Sequence, residues 1–246
     1  MASLLPPAYA EIAGTSVAGV APPEGILFAQ FTGIPLSRER EPMLLLDVTA
    51  SMNWATSPTD DTPRRETVRE ALSLLVQSLG EHDSQAGAEH QAGIATEEIG
   101  GLRTVTFSGH NAQDIGDLNE HNLAGKWDAI KFQGGTYIVP GWQRILQVYQ
   151  SEFGSRPVAD QPVVMLLVIT DGAALDIKDF ANLLTHALPA NFFVSIALVG
   201  FDFEYLKALK EYTAVAAAQP QHIRIVPFGA TTDPRCISST LLSMAI

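Results

Sequence analysis

Met43-Leu44-Leu45-Leu46-Asp47-Val48-Thr49-Ala50-Ser51 runs from an unbroken apolar stretch into one carboxylate and two hydroxyls, each two residues apart. An apolar run without polar alternation fits a strand buried on both faces, as in a parallel sheet. Val163 to Ile169 repeats the pattern and ends in Thr170-Asp171-Gly172. Leu102 to Ser108, Phe192 to Val199 and Ile223 to Phe228 read as further strands. In Leu102 to Ser108, Val105 and Phe107 share one face, and Thr104 and Thr106 the other.

Helical periods lie between these runs. Val68, Ala71, Leu72, Leu75 and Leu79 form one apolar face. Thr62-Pro63 reads as its N-cap and first position, and Gly80 as its stop. Trp142, Ile145, Leu146, Tyr149 and Phe153 form a second face, with Pro140 tolerated near its start. Ile177, Phe180, Ala181, Leu184 and Leu188 form a third, closed by Pro189. Phe203 to Ala217 and Pro234 to Ile246 read as the last helices. Residues 53–61 and 109–126 read as loops, and Trp127 to Phe132 as a short edge strand. Residues 81–101 carry no clear period. Strands alternating with helices imply right-handed βαβ units. The expected fold is therefore α/β: an open, mostly parallel, doubly wound sheet with helices on both faces. Residues 42–246 read as one domain. Residues 1–41, rich in Ala, Gly and Pro, read as an N-terminal arm, partly ordered or mobile. Gly25 to Phe31 is its best candidate for a docked strand.

Composition narrows the function. Apolar residues are 46% of the 246 and charged residues 17%, which excludes a disordered chain. The net charge is −12, and no basic patch stands out, so a nucleic-acid partner is disfavoured. No stretch is long and apolar enough to span a bilayer. The single cysteine, Cys236, excludes an internal disulfide and a cysteine-based zinc site, and fits a reducing compartment. Met1 to Pro7 has no basic start, so no signal peptide is expected, and the expected location is cytoplasmic.

Open parallel sheets place their sites at the carboxyl ends of strands. Three polar clusters fall there or in a neighbouring loop: Asp47-Val48-Thr49-Ala50-Ser51, Gly134-Gly135-Thr136 and Thr170-Asp171-Gly172. Among them Asp47 and Asp171 offer two carboxylates and Thr49, Ser51 and Thr136 three hydroxyls, with no His or Cys. Oxygen-only ligation favours Mg²⁺, with Mn²⁺ or Ca²⁺ as alternatives.

At these residues the sequence resembles the von Willebrand factor A family. That family's metal-ion-dependent adhesion site reads Asp-x-Ser-x-Ser after the first strand, completed by a distant Thr and a distant Asp. Here the motif is Asp47-x-Thr49-x-Ser51, with Thr in place of the first Ser, and Thr136 and Asp171 match the distant pair. The resemblance covers about residues 42–230. It implies a Rossmann-like sheet with one antiparallel edge strand. It also implies metal ligation by Asp47, Thr49, Ser51, Thr136 and Asp171, and no catalytic residues. The bound ion would take an acidic side chain, Asp or Glu, from a partner protein, typically within an intracellular complex.

The same residues fit two further roles. Asp47 and Asp171 could cap helix N-termini, with Thr49, Ser51 and Thr136 as turn residues. A Mg²⁺-dependent hydrolase resembling the haloacid-dehalogenase phosphatases would also use an Asp after its first strand. Such enzymes need a second Asp two residues on, where this chain has Thr49, and Lys126 and Lys131 are weak candidates for holding a phosphoryl group. Asp60 and Asp61 read as solvated helix-start acids. Asp114, Asp117, Asn119 and Glu120 read as a surface loop, the six histidines as structural or exposed, and Trp127, Trp142 and Tyr149 as core. Asn53, Trp54 and Tyr137, beside the motifs, are candidate rim residues.

Overall fold

The structure is a computed structural model and describes residues 31, 34, 38–89, 101–172 and 174–245, with the backbone alone for 82–89. Six strands form the main sheet: β1 (Arg40–Asp47), β4 (Leu102–Ser108), β5 (Asn111–Leu118), β6 (Val163–Thr170), β7 (Phe192–Val199) and β8 (Ile223–Gly229). A hairpin of β2 (Ala55–Ser57) and β3 (Asp60–Pro63) stands apart. The main sheet runs β5-β4-β1-β6-β7-β8. All neighbours are parallel except β4 and β5. The fold is mixed α/β with a mostly parallel sheet, as expected.

The apolar runs become strands because both faces are covered. Met43, Leu45, Val105, Phe107, Val164, Leu166 and Val168 pack under α3 (Val139–Phe153), α4 (Ile177–His186) and α5 (Phe203–Ala218). Leu44, Leu46, Leu167 and Ile169 pack on the other side under α1 (Arg64–Glu89), α2 (Leu123–Ala129) and α6 (Pro234–Ala245). Every residue of β6 is buried, which is why it is the most apolar run of the chain. Trp142, Tyr149, Phe180, Phe192 and Tyr212 meet edge-on in the first core, with centroids 5.1–6.2 Å apart.

Several expectations are corrected. Residues 53–61 are not a loop: most of them build the β2–β3 hairpin. Pro63 pairs with Ala55 in that hairpin, and α1 starts one residue later at Arg64, whose N–H donates to Trp54 O at 2.9 Å. Gly80 does not end α1, which continues to Glu89. One internal glycine costs only about 1 kcal/mol, too little to stop a helix already anchored by Val68 to Leu79. Residues 109–126 hold β5 and the start of α2. The antiparallel edge strand is therefore β5, and Trp127 is a buried residue of α2. Asp114 and Asp117 lie on β5, where Arg103 pairs with them at 2.8 and 3.6 Å. Of the expected docking strand, Gly25 to Phe31, residues 25–30 lie outside the described residues. Phe31 does contact the body, edge-on to Phe193 at 5.2 Å and beneath Arg224. No helix of the described residues is long and apolar enough to cross a membrane.

Candidate metal centre

From β1 the chain moves out to β4 and β5, then returns to β6 on the other side of β1. The carboxyl ends of β1 and β6 therefore flank the switch point of the sheet. Asp47 is the last residue of β1, and Asp171 follows β6. They are 0% and 2% exposed, so neither is an ordinary solvated acid.

The loop after β1 curls back at once. Thr49 N–H donates to Asp47 Oδ1 at 2.9 Å, and a 3-10 turn follows over Ala50–Asn53. Thr170 Oγ1 donates to Asp47 Oδ2 at 2.7 Å. Ser51 Oγ donates to Asp171 Oδ1 at 3.0 Å, Thr49 Oγ1 lies 3.1 Å from Ser51 Oγ, and Thr136 Oγ1 donates to Thr49 Oγ1 at 3.4 Å. Ser51 has one hydroxyl hydrogen, and Asp171 receives it, so Thr49 is the donor to Ser51. A one-way chain results, Thr136 to Thr49 to Ser51 to Asp171, in which each hydroxyl keeps a lone pair.

Thr136 reaches this group through backbone stitching. Ala50 N–H donates to Gly134 O at 3.2 Å, Gln133 N–H to Val48 O at 2.9 Å, and Leu175 N–H to Thr136 O at 2.8 Å. Asp176 accepts from Ile138 N–H and Val139 N–H at 2.9 and 3.0 Å, which satisfies the start of α3. Gly134 has φ +82°, and a Cβ there would sit 2.9 Å from Ser108 Oγ. Only glycine fits that turn.

All five expected residues, Asp47, Thr49, Ser51, Thr136 and Asp171, thus converge from three separate segments. Neither acid works as a simple helix cap. Both oxygens of Asp47 are taken by Thr49 and Thr170, and those of Asp171 by Ser51 and Arg64. Burial, and then the negative charge of Asp171, push Asp47 up to about 7. Burial also pushes Asp171 up, against the downward pull of Arg64.

Arg64 is the residue that sequence reasoning missed. It is 1% exposed and opens α1. Its Nη1 donates to Asp171 Oδ2 at 2.8 Å, Nη2 to Asp202 Oδ2 at 2.6 Å and Nε to Ala55 O at 3.2 Å. Asp202 in turn caps α5 by accepting from Tyr205 N–H at 2.9 Å. One signal was available. A cation in the first turn opposes the helix dipole, so Arg64 needs a reason to be there.

Among the described residues no group of three or more His, Cys, Asp or Glu is placed to hold a metal. The donor set here is of another kind, two carboxylates with three hydroxyls. It suits a hard cation: the oxygens are close together, and Asp47, Thr49 and Asp171 are buried. Asp47, Asp171 and Asp202 against Arg64 leave two formal negative charges, which one divalent ion would balance.

Lys126 does not belong to this group: its Nζ donates to Ile115 O and Asp117 O at 2.7 and 2.9 Å, while Lys131 is exposed. Of the rim candidates, Asn53 bonds Ala50 O and Phe132 O, both at 3.1 Å. Trp54 lies against the Arg64 guanidinium, and the Tyr137 ring meets His110 at a tilt of 39° with centroids 4.1 Å apart. Leu175, Phe203 and Leu206, more than half exposed, were not expected. They follow β6 and β7 in the segments that carry Asp171 and Asp202.

A mostly parallel sheet with one antiparallel edge and a polar cluster at its switch point defines a von Willebrand factor A-like fold. Solved structures agree. A von Willebrand factor type A protein from Catenulispora acidiphila superposes with a TM-score of 0.51 at 15% identity, over 85% of this chain and 42% of that one. The PilB minor pilin from Streptococcus sanguinis gives 0.57 at 12% identity, over 85% and 61%. The pilus adhesin SpaC from Lactobacillus rhamnosus GG gives 0.53 at 12% identity, over 85% and 31%. At these identities the likeness is one of fold. The chain spans about three fifths of the minor pilin and less than half of the remaining two. By sequence, no protein-family model and no curated protein matches it.

Proposed function

We propose that this chain is a non-enzymatic binding module whose site holds a divalent cation, Mg²⁺ above all, through Asp47, Thr49, Ser51, Thr136 and Asp171. The observation that carries the reading is the hydroxyl chain from Thr136 to Asp171, which links three segments distant in sequence. When bound, the ion would offer a coordination position to an Asp or Glu side chain of a partner protein. The chain's own residues do the rest. Thr49 N–H and Thr170 orient Asp47, Ser51 and Arg64 orient Asp171, and the Gly134 turn sets Thr136. The exposed Leu175, Phe203 and Leu206 would supply apolar contact around a single charged anchor.

Asp47 is a poor hydrolase nucleophile. It is fully buried, both its oxygens are engaged, and Thr49 stands where a general acid would be needed. The proposed location is intracellular, resting on the exposed free thiol of Cys236. Calorimetric titration of Mg²⁺ into wild type and Ser51→Ala tests the site: binding in the first and its loss in the second is the expected result. Absence of binding in wild type would overturn the metal reading.

A further inference from the structure

The guanidinium of Arg64 sits in a space built for it. It lies over Gly200, whose φ is +123°, and a Cβ at that position would stand 3.0 Å from Arg64 Cζ. Ala55 O, Asp171, Asp202 and the Trp54 ring, 5.7 Å away, complete the surround. With all three nitrogens bonded and the group buried, it is held in one orientation.

That orientation has a chemical consequence at Asp171. Its Oδ2 is 2.8 Å from a fixed positive charge, whereas Oδ1 faces the hydroxyl chain through Ser51. A divalent cation cannot share Oδ2 without meeting the guanidinium at close range, where like charges repel strongly in a dehydrated setting. Asp171 is thereby limited to ligation through one oxygen. Asp47 has a milder restraint of the same sense, because Thr170 Oγ1 occupies Oδ2. Ca²⁺ gathers six to eight oxygens and readily takes both oxygens of a carboxylate. Mg²⁺ takes six, keeps waters and is satisfied by single oxygens.

We propose that Arg64 is the ion-selectivity residue of this site, restricting Asp171 to single-oxygen ligation and so favouring Mg²⁺ and Mn²⁺ over Ca²⁺. Arg64 acts through Asp171 and is a positioning residue. The inference rests on the divalent-ion reading above.

The test compares the ratio of Ca²⁺ to Mg²⁺ dissociation constants, measured by calorimetric titration of each ion alone. A change in site charge affects both ions alike, so the ratio isolates ligation. Removing Arg64 alone would leave Asp202 buried without its partner. The working variant is therefore Arg64→Met with Asp202→Asn, which replaces the Arg64–Asp202 pair with uncharged groups of similar size and frees Asp171 Oδ2, and Asp202→Asn alone is the control. Circular dichroism in EDTA verifies folding. Wild type and the control should bind Mg²⁺ more tightly than Ca²⁺, and the double variant should lower the ratio by about tenfold or more. Arg64→Lys, which keeps a charged donor for Oδ2, should retain most of the preference. An unchanged ratio in a folded double variant that still binds Mg²⁺ would overturn the inference alone. A double variant that is unfolded in EDTA is read by its recovery of structure: recovery in Ca²⁺ as readily as in Mg²⁺ supports the inference, and recovery in Mg²⁺ alone overturns it. Wild type binding neither ion would overturn the metal reading and this inference together.

Discussion

Arg64 and Asp171 form an ion pair of 2.8 Å between side chains 1% and 2% exposed, 107 residues apart in sequence. The guanidinium reaches on to Asp202, so one cation joins the start of α1, the end of β6 and the N-cap of α5.

Removing one partner of such a pair is costly, because the other charge is left buried. Arg64→Ala should therefore lose about 3–5 kcal/mol of stability in metal-free buffer. Arg64→Met with Asp202→Asn should lose much less than the sum of its single variants, since the two sites share one interaction. Urea unfolding of wild type, both single variants and the double variant in EDTA checks the second statement, and Arg64→Ala beside them checks the first.

Ligand linkage sets the size of the metal effect. An ion that binds only the folded chain should raise its stability by RT ln(1 + [L]/Kd), about 2.7 kcal/mol at one hundred times Kd. Melting in Mg²⁺ and Mn²⁺ against EDTA should show the shift in wild type. Thr136→Ala should abolish it while leaving the EDTA melting temperature nearly unchanged, because Thr136 donates only one long bond of 3.4 Å.

The opposite end of β1 carries a pH effect independent of the site. Burial, followed by repulsion from Glu152, Asp117 and Glu39, pushes Glu41 up to about 7 from 4.5. A folded value above the unfolded one means that folding takes up a proton. The contribution of Glu41 is fully present below pH 4.5 and is lost as pH rises through 7. Glu41→Gln should therefore be more stable than wild type at pH 8, by roughly 1–2 kcal/mol after allowance for solvent screening. The difference should vanish below pH 4.5. Denaturant melts across that range measure it.

Val168→Asp should behave quite differently from changes at the site. Val168 is fully buried at the centre of β6, and an unpaired carboxylate there should cost more than about 4 kcal/mol and prevent folding. Circular dichroism should show a loss of structure that neither Mg²⁺ nor low temperature restores.

A captured partner should carry one critical acidic residue on an otherwise neutral or basic surface, given the −12 charge of this chain. Changing that residue to Ala should remove Mg²⁺-dependent binding, and added salt should slow association. Pull-down in Mg²⁺ and in EDTA, beside Asp47→Ala, measures the dependence.

The buried strands and the five polar residues are legible in the order of amino acids. A strand covered on both faces must be apolar throughout, and β1, β6 and β7 announce themselves in this way. Asp47 ends one such strand, Thr49, Ser51 and Asp171 follow within a few residues of a strand end, and Gly134-Gly135 marks the turn beside Thr136. Long-range packing supplies the rest. Asn111–Leu118 is polar, interrupted by Gly116, and becomes a strand only because β4 offers an open edge to pair with. Ala55–Ser57 and Asp60–Pro63 are too short to carry a period. Arg64 stands out only as a cation in a first turn, a feature that the half-exposed Arg65 beside it shares. Its role depends on Asp171 and Asp202, 107 and 138 residues away, brought around it by the sheet. Local patterning records which face of an element is buried. It does not record which distant charge a buried cation will meet, because that is set by how the strands are ordered in the sheet.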